Sequence, residues 1–330
     1  IWFDGKTLTG CANDLHGPYR GPDGHIYWTK GAFAKQEYTV NGKPFATRAA
    51  HIFRAKPDGT GIEPVMTGGM DNPVDVVFTP GGDLIFTTTF FQHPAGGRRD
   101  GLVHAVHGAV YGKDHDPVYE HPWTRPTLMP PMTHMGPAAP SGLHRYESDQ
   151  FGKEYANNLF ACQFSLRKAS RHVLVPNGST YETKDLDFVV SDNLDFHPTD
   201  VIEDADGSLL VVDTGGWYKL CCPTSQLVKP DVTGGIYRVK KVGAHQINDP
   251  RGLKIDWAKA DIDDLTRLMD DGPPAVRVRA ADTLVARGEK GIQRLATLPF
   301  VTAYRDETWR LAVATLAGVD HPAARQAARL

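Results

Sequence analysis

A short segment recurs along this chain with its glycine turn in register. Each copy starts with polar residues, runs on as a strand, turns at a glycine and ends in a second apolar run. Aligned just before the first strand, the copies fall at Gly17, Asp75, Gly142 and Asp200, in steps of 58, 67 and 58 residues. Two short strands joined by a glycine turn and repeated at such a period indicate one blade of a β-propeller per copy.

The repeat predicts an all-β propeller over residues 1–241, with about four blades. Closed propellers have about four to eight blades, and Ile1-Trp2-Phe3 has the character of a strand end. We therefore expect a partial six-bladed ring that is incomplete at its N-terminal side. Residues 96–140 lose the strand alternation and are predicted to form a long irregular insertion, a frequent place for functional residues.

From Ile255 the apolar period changes from that of strands to that of helices. Ile262, Leu265 and Met269 have helical spacing, and Gly272-Pro273-Pro274 interrupts the pattern. The helices after this break carry a Val-Arg-x-Arg-Ala-Ala pattern and resemble HEAT repeats. We expect residues 242–254 to be a linker and residues 255–330 to be a truncated HEAT-like array.

Composition narrows the class of partner. The formal net charge is −3 over 330 residues, which gives no reason to expect nucleic acid or a membrane surface as a partner. No apolar run approaches the roughly 18–20 residues of a transmembrane helix. The sequence shows neither an initiator Met nor a signal peptide, so we expect a processed chain or a fragment.

The cysteines exclude one cofactor and leave one question open. No C-x-x-C-H motif is present, so no covalent c-type haem is expected within this chain. Cys221 and Cys222 are adjacent, and a disulfide between them would close a strained ring. Two reduced or buried thiols are the preferred interpretation of this pair because disulfide geometry is demanding.

Several motifs resemble a known family. They are Gly21-Pro22-Asp23-Gly24, Asp71-Asn72-Pro73-Val74-Asp75, Pro140-Ser141-Gly142, His197-Pro198-Thr199-Asp200 and Asp213-Thr214-Gly215-Gly216-Trp217. Together with the helical repeats they resemble the membrane-bound dehydrogenase family of planctomycetes and verrucomicrobia. More distantly, the chain is similar to soluble quinoprotein glucose and sorbosone dehydrogenases. Family members commonly continue into a cytochrome c domain.

Polar residues precede each predicted inner strand, where a propeller gathers side chains from distant parts of the sequence around its channel. These positions predict the catalytic candidates His16, His197 and Asp200. For any single carboxylate, such as Asp75 or Asp200, the favoured interpretation is structural: it binds backbone amides and fixes the register between blades.

The resemblance implies a quinoprotein-type dehydrogenase outside the cytoplasm, in the periplasm or an equivalent compartment. A neutral His16 or His197 would take the proton from a sugar or alcohol hydroxyl, while pyrroloquinoline quinone with Ca²⁺ would accept the hydride. Electrons would pass to a cytochrome c domain or protein. The metal candidates are Asp14 and Asp71, and the cofactor-binding candidates are Asn72, Asp75, Ser141, Arg167, Trp217, Lys219, Cys221 and Cys222.

Two other functions remain open from the sequence. One is a non-catalytic propeller that binds glycan or protein, with the helical array as a docking surface. The other is a gluconolactonase-type hydrolase with a channel metal on carboxylates such as Asp75 and Asp200.

Overall fold

The computed structural model describes residues 2, 4, 15–89, 91, 98–123, 127–219, 226–298 and 304–327. Most of this chain is antiparallel β-sheet. Blade 1 contains β1 (Leu15–Arg20) and β2 (Ile26–Lys30), then a separate hairpin of β3 (Gln36–Val40) and β4 (Lys43–Thr47), then β5 (Ala50–Ala55) and β6 (Glu63–Gly68).

The other blades follow in sequence order. Blade 2 contains β7 (Asn72–Phe78), β8 (Leu84–Thr89) and β9 (Asp100–Ala105). The chain then forms β10 (Val110–Tyr111), which pairs in parallel with β6, and the helix α1 (Asp116–Tyr119). The last strand of blade 2 is β11 (Thr133–Gly136), which pairs with β9. Blade 3 contains β12 (Pro140–Arg145), β13 (Leu159–Gln163), β14 (Lys168–Asn177) and β15 (Thr180–Val190).

Blade 4 has three strands in the described part of the chain. They are β16 (Pro198–Glu203), β17 (Leu209–Asp213) and β20 (Gly235–Val239), with a separate hairpin of β18 (Trp217–Lys219) and β19 (Gln226–Val228). The repeated glycine of each copy sits in the turn after the inner strand, at φ of 80° for Gly24, 93° for Gly82 and 75° for Gly207. Only glycine adopts such a backbone without strain, which explains why it recurs in register.

The inner strands β1, β7, β12 and β16 pack side by side in that order and form an arc. Apolar side chains fill each blade-to-blade interface. Phe86 lies in the core that includes blades 1 and 2, Ile85 packs between blades 2 and 3, and Phe160 packs between blades 3 and 4. Each is fully buried and contributes roughly 1.5–3 kcal/mol. The strands therefore form the propeller-like arrangement that the repeat predicts.

Side-chain hydrogen bonds to backbone groups fix the register between blades. The Thr29 hydroxyl in β2 donates to the carbonyl of Pro73 at 2.6 Å, and the Thr87 hydroxyl in β8 donates to that of Ser141 at 3.1 Å. Thr29 and Thr87 are 58 residues apart and occupy the same position of the repeat. The same position of the repeat therefore makes an equivalent hydrogen bond at two successive joints between blades.

The equivalent face of blade 4 lies open among the described residues. Val201 and Val211 point toward blade 3, so alternation turns their neighbours to the opposite face. On that face Ile202 is 45% exposed, and Ile236 of the edge strand β20 is 69% exposed. This face of blade 4 is therefore apolar in part and exposed among the described residues; the size of the ring stays a prediction.

The helices lie where the change of period predicts them. They are α2 (Ile262–Asp271), α3 (Pro274–Ala286), α4 (Glu289–Thr297), α5 (Asp306–Ala317) and α6 (Pro322–Ala327), which we call the helical unit. Asp261 begins α2 with a capping box to Asp264. No helix in the described ranges is long and apolar enough to cross a membrane. Assignment to HEAT repeats stays a prediction from the sequence.

The helical unit docks on the end of the arc where the inner strands finish, which we call the turn end. A Cβ added at Gly24 would lie 2.8 Å from the carbonyl oxygen of Ala317, so α5 ends directly on this turn. Burial and Arg305 lower the pKa of the half-buried Arg277 in α3, while Glu147 and Glu203 are among the carboxylates that oppose the shift. The opposite end, where the inner strands begin, we call the mouth.

The predicted irregular insertion at residues 96–140 is only partly irregular. It contains the strands β9, β10 and β11 and the helix α1, and β9 and β11 supply half of blade 2. The sequence signal was weak because β9 reads Asp100-Gly101-Leu102-Val103-His104-Ala105, with a glycine and two polar residues in six. Antiparallel pairing with β8, from Leu84↔Ala105 to Thr88↔Gly101, overrides this poor strand propensity.

Gly142→Ala tests the tightest blade joint. The added Cβ would lie 2.5 Å from Cα of Asp200, and closer still to Oδ1 of that residue. We expect a loss of about 1–3 kcal/mol in the free energy of unfolding, the usual cost of overpacking. Gly81→Ala is the control, because its Cβ would meet nothing nearer than 3.6 Å. Equal urea midpoints for the two variants would contradict this packing.

Candidate functional site

The mouth of the arc gathers predicted site residues from all four blades. His16 lies at the start of β1 and Asn72 at the start of β7, Ser141 lies at the start of β12, and His197 precedes β16. The inner strands run in one direction and pack in order, so residues far apart in the sequence meet at one end.

His16 and Asn72 are in direct contact. Nε2 of His16 lies 3.0 Å from Oδ1 of Asn72, across the joint between blades 1 and 2. Asn72 is buried, and its backbone carbonyl accepts a bond from the Thr88 hydroxyl at 3.1 Å. A catalytic candidate and a cofactor candidate therefore form one pair, with Asn72 orienting the imidazole.

Ser141 forms a hydrogen bond across the joint between blades 3 and 4. Its hydroxyl donates to the carbonyl of Pro198 at 3.1 Å, while its own carbonyl accepts from Thr87. This serine therefore has a structural bond on each side.

His197 has a fixed tautomer. Its Nδ1 lies 3.0 Å from the carbonyl oxygen of Asp195 and 3.1 Å from that of Gly215. Carbonyl oxygens only accept hydrogen bonds, so Nδ1 carries the proton and a neutral ring keeps its lone pair on Nε2. Among the described residues Nε2 has no hydrogen-bond partner. His197 is thus a positioned base.

Packing holds the same ring in place. Its centroid lies 4.6 Å from that of Phe164 at an interplanar angle of 32°, and the residue is only 5% exposed. The backbone N–H of His197 donates to Oδ1 of Asp213 at 2.8 Å. The imidazole is therefore held by a ring contact and by hydrogen bonds at Nδ1 and at the backbone.

Asp75 and Asp200 lie on either side of Gly142–Leu143. Asp75 accepts the N–H of Val76 at 2.8 Å and that of Leu143, in the next blade, at 2.6 Å. Asp200 accepts the N–H of Val201 at 2.8 Å. The predicted register role is thus confirmed for Asp75, which bonds across a joint; Asp200 bonds only within its own strand among the described residues.

These carboxyl groups hold protons more tightly than usual. Burial raises the pKa of Asp75 to about 6, against the opposing bonds from Leu143 and Val76, and the charge of Asp200 adds to the rise. Burial likewise raises the pKa of Asp200. The Tyr19 hydroxyl and the Cys162 thiol lie near both, and burial followed by these charges raises each pKa. Burial therefore favours the protonated form of each group in this cluster.

The remaining candidates divide into those the structure describes and those it does not. Asp71 forms an ion pair with the buried Lys113. Arg167 follows the helical turn Phe164–Leu166 at the mouth. Trp217 and Lys219 are described only as backbone in β18. Asp14, Cys221 and Cys222 lie outside the described residues.

The described residues alone do not group carboxylates for Ca²⁺. In this part of the chain no three His, Cys, Asp or Glu side chains are grouped as metal ligands. Asp71 would have to give up Lys113, while Asp75 and Asp200 favour protons. Of the residues predicted to hold a quinone through charge or stacking, only the side chain of Arg167 is described, so the chemistry below uses no step through that cofactor.

Sequence reasoning missed several residues of the site. Lys113, Phe164 and Tyr19 touch candidate residues only through folding across blades, and no local motif marks them. Cys162 had a signal, because it occupies the position of Thr87 in the weaker repeat copy.

A second polar network lies between blades 2 and 3. Oγ of Ser170 is 2.8 Å from Nε2 of His172, and Nδ1 of His172 is 2.7 Å from Oδ1 of Asp185. The Thr133 hydroxyl in β11 donates to Asp185 at 2.8 Å, and the Gln163 amide donates to Ser170 at 2.7 Å. The connectivity is that of a serine hydrolase triad.

The hydroxyl of Ser170 is already engaged by Gln163, by His172 and by the carbonyl of Ala161, unlike Nε2 of His197, which has no described partner. Ser170 is 3% exposed and His172 is 1% exposed, whereas a nucleophile must reach its substrate. The network instead joins strands of two blades through hydrogen bonds that run from the buried Ser170 and His172 to the exposed Asp185, and hydrogen bonds of this kind are how buried polar groups are normally retained.

Comparison with known proteins places the chain in a family without transferring an activity. A family model described as a domain of unknown function (DUF7133) matches residues 1–243. No curated protein matches the chain.

Solved structures with similarity to the chain include sugar-related proteins. An oxidoreductase (glucose dehydrogenase) from Thermus thermophilus is 18% identical, with 66% of this chain and 62% of that one covered, at a TM-score of 0.43. Another glucose dehydrogenase is 16% identical, with 69% and 63% covered, at 0.44. The calcium-binding protein regucalcin from Agrobacterium tumefaciens is 11% identical, with 73% and 74% covered, at 0.36.

This chain therefore spans less than two thirds of the length of both glucose dehydrogenases. At these identities and TM-scores, none of their activities carries over to it.

Ser170→Ala tests the network between blades 2 and 3. The change leaves Nε2 of His172 and the Gln163 amide without their common partner in a buried place. We expect a loss of about 1–3 kcal/mol in the free energy of unfolding. The exposed Ser165→Ala serves as control, and equal unfolding free energies for both variants would refute the role of the network.

Asp75→Asn tests the raised pKa. The folded chain holds the Asp75 proton up to about pH 6, above the ordinary value of 3.8. Its contribution to stability is therefore full below about pH 4 and is lost as pH rises through about 6. The amide stays neutral throughout, so the stability of the variant relative to the natural chain should rise between pH 4 and 7.

Urea unfolding at pH 4, 5, 6 and 7 measures this difference, with the exposed Asp192→Asn as control. A difference that does not change with pH would show that Asp75 titrates normally.

Proposed function

The chain belongs to the DUF7133 family, and we propose that its propeller acts on a sugar or alcohol at the mouth, with His197 as the base. The observation that carries this proposal is the tautomer of His197. Two carbonyl oxygens accept hydrogen bonds from its Nδ1–H, so Nε2 carries a lone pair that has no described hydrogen-bond partner. A neutral, oriented imidazole is the usual group for taking a proton near neutral pH.

The reaction that suits this base is oxidation of a hydroxyl group. Nε2 of His197 takes the hydroxyl proton, and the carbon loses a hydride. The hydride must pass to a two-electron acceptor, because no side chain accepts it. His16, oriented by Asn72, provides a second imidazole at the mouth that can bind a neighbouring hydroxyl.

The electron acceptor and the cellular location are part of the proposal. Pyrroloquinoline quinone with Ca²⁺ as acceptor, a cytochrome c as the next carrier and a periplasmic or other extracytoplasmic location rest on the family resemblance alone. The direct readout is turnover of an electron-accepting dye with a panel of aldoses and alditols, with and without the quinone and Ca²⁺. Calorimetric titration with the same sugars gives binding independently of any acceptor.

A non-catalytic binding propeller is the second candidate function. The observation in its favour is that Asp75, Ser141 and Asn72 are each already engaged in bonds between blades. In that case sugars would bind in the titration, and no acceptor would support turnover.

His197→Asn tests the base. The asparagine amide can still donate to the carbonyls of Asp195 and Gly215, but it offers no basic nitrogen. We expect turnover to fall by about 10²-fold or more while the melting temperature stays nearly unchanged. The exposed His107→Asn is the control. A drop of many degrees in melting temperature with turnover intact would remove His197 from the mechanism.

A further inference from the structure

Arg167 is a cation at the mouth without a described counter-charge. It ends the helical turn Phe164–Leu166 in the left-handed conformation, at φ 53°. Non-glycine residues rarely adopt this conformation, and where they do it is often at binding sites. Phe164 of the same turn packs on His197, so Arg167 lies three residues along the chain from the residue that supports the base.

The guanidinium is half-buried, and its Nε is removed from water with no hydrogen-bond partner among the described residues. No described carboxylate lies within ion-pair distance of Arg167, whereas Arg99 and Lys113 near the mouth each have one. A buried donor without an acceptor is costly. The guanidinium of Arg167 therefore has hydrogen-bonding capacity that no described group uses.

Three carboxylates around the mouth have their own cation partners. Asp71 pairs with Lys113, Asp100 with Arg99 and Asp195 with Lys229. Arg98, before β9, is exposed and also has no described ion pair. Burial and then Arg98 lower the pKa of His134 on β11, so the positive charge of Arg98 is felt within blade 2.

We propose that the substrate is an acidic sugar whose carboxylate binds Arg167 while a hydroxyl lies at His197. Guanidinium and carboxylate groups pair through two parallel hydrogen bonds, which fixes orientation as well as charge. The substrate class is then an aldonate or uronate rather than a neutral sugar. This inference rests on the proposed function and narrows it.

An aromatic polycarboxylate such as the quinone offers the same carboxylate chemistry, and a titration separates the two sources. D-Glucuronate, D-glucose and pyrroloquinoline quinone are each titrated into the natural chain, Arg167→Gln and Lys168→Gln. Lys168 is the matched control, because it is the adjacent cation and has its own partner in Asp187.

The expected result is that D-glucuronate binds at least about tenfold more tightly than D-glucose, the usual effect of a charged hydrogen bond. Arg167→Gln removes this advantage and leaves D-glucose affinity unchanged, and Lys168→Gln changes neither. Added NaCl weakens D-glucuronate binding to the natural chain and not D-glucose binding. Arg167→Lys keeps the positive charge but loses the two parallel N–H donors of the guanidinium, so its affinity for D-glucuronate should be intermediate. This variant also provides the test if Arg167→Gln does not fold.

Three results would overturn the proposal. One is equal affinity for the two sugars, and another is an equal loss of both in Arg167→Gln. The third is loss of quinone binding in Arg167→Gln with D-glucuronate affinity retained, which would assign Arg167 to the cofactor. His197→Asn separates this test from the proposed function: it should lower turnover by about 10²-fold or more and keep the preference for D-glucuronate.

Discussion

The hydrogen bond from the Leu143 N–H to the Asp75 carboxylate ties two blades together, and the placement of the site depends on joints of this kind. Apolar packing between blades is non-directional, so by itself it allows one strand to slide along the next. A carboxylate that must meet one particular N–H removes that freedom. With the Thr29 and Thr87 bonds, it sets each inner strand to a single register and brings the strand starts to a common mouth.

The hydrogen bonds between blades also determine which mouth residues remain available for a ligand. Asn72, Asp75 and Ser141 already satisfy partners in neighbouring blades, so a ligand would have to compete with the fold for them. His197 and Arg167 differ, because each keeps a nitrogen that no described group uses. These two side chains are therefore the first to test as ligand contacts at the mouth.

The sequence predicted the parts of the fold that repeat or alternate. The glycine turns, the paired strands after them, the change to helices after Ile255 and the register role of Asp75 follow from local patterns. Strand β9 was missed because its glycine and polar residues dilute the pattern and only pairing makes it a strand. Contacts such as Lys113 with Asp71, or Cys162 near Asp200, join separate blades or strands. They depend on tertiary geometry that a single sequence does not encode locally.

The docking of the helical unit on the turn end also separates the helices from the candidate site. An inner strand of six residues is about 20 Å long, and the mouth lies at its far end from α5 and Gly24. The helical unit can therefore brace the turns of the propeller without covering the mouth.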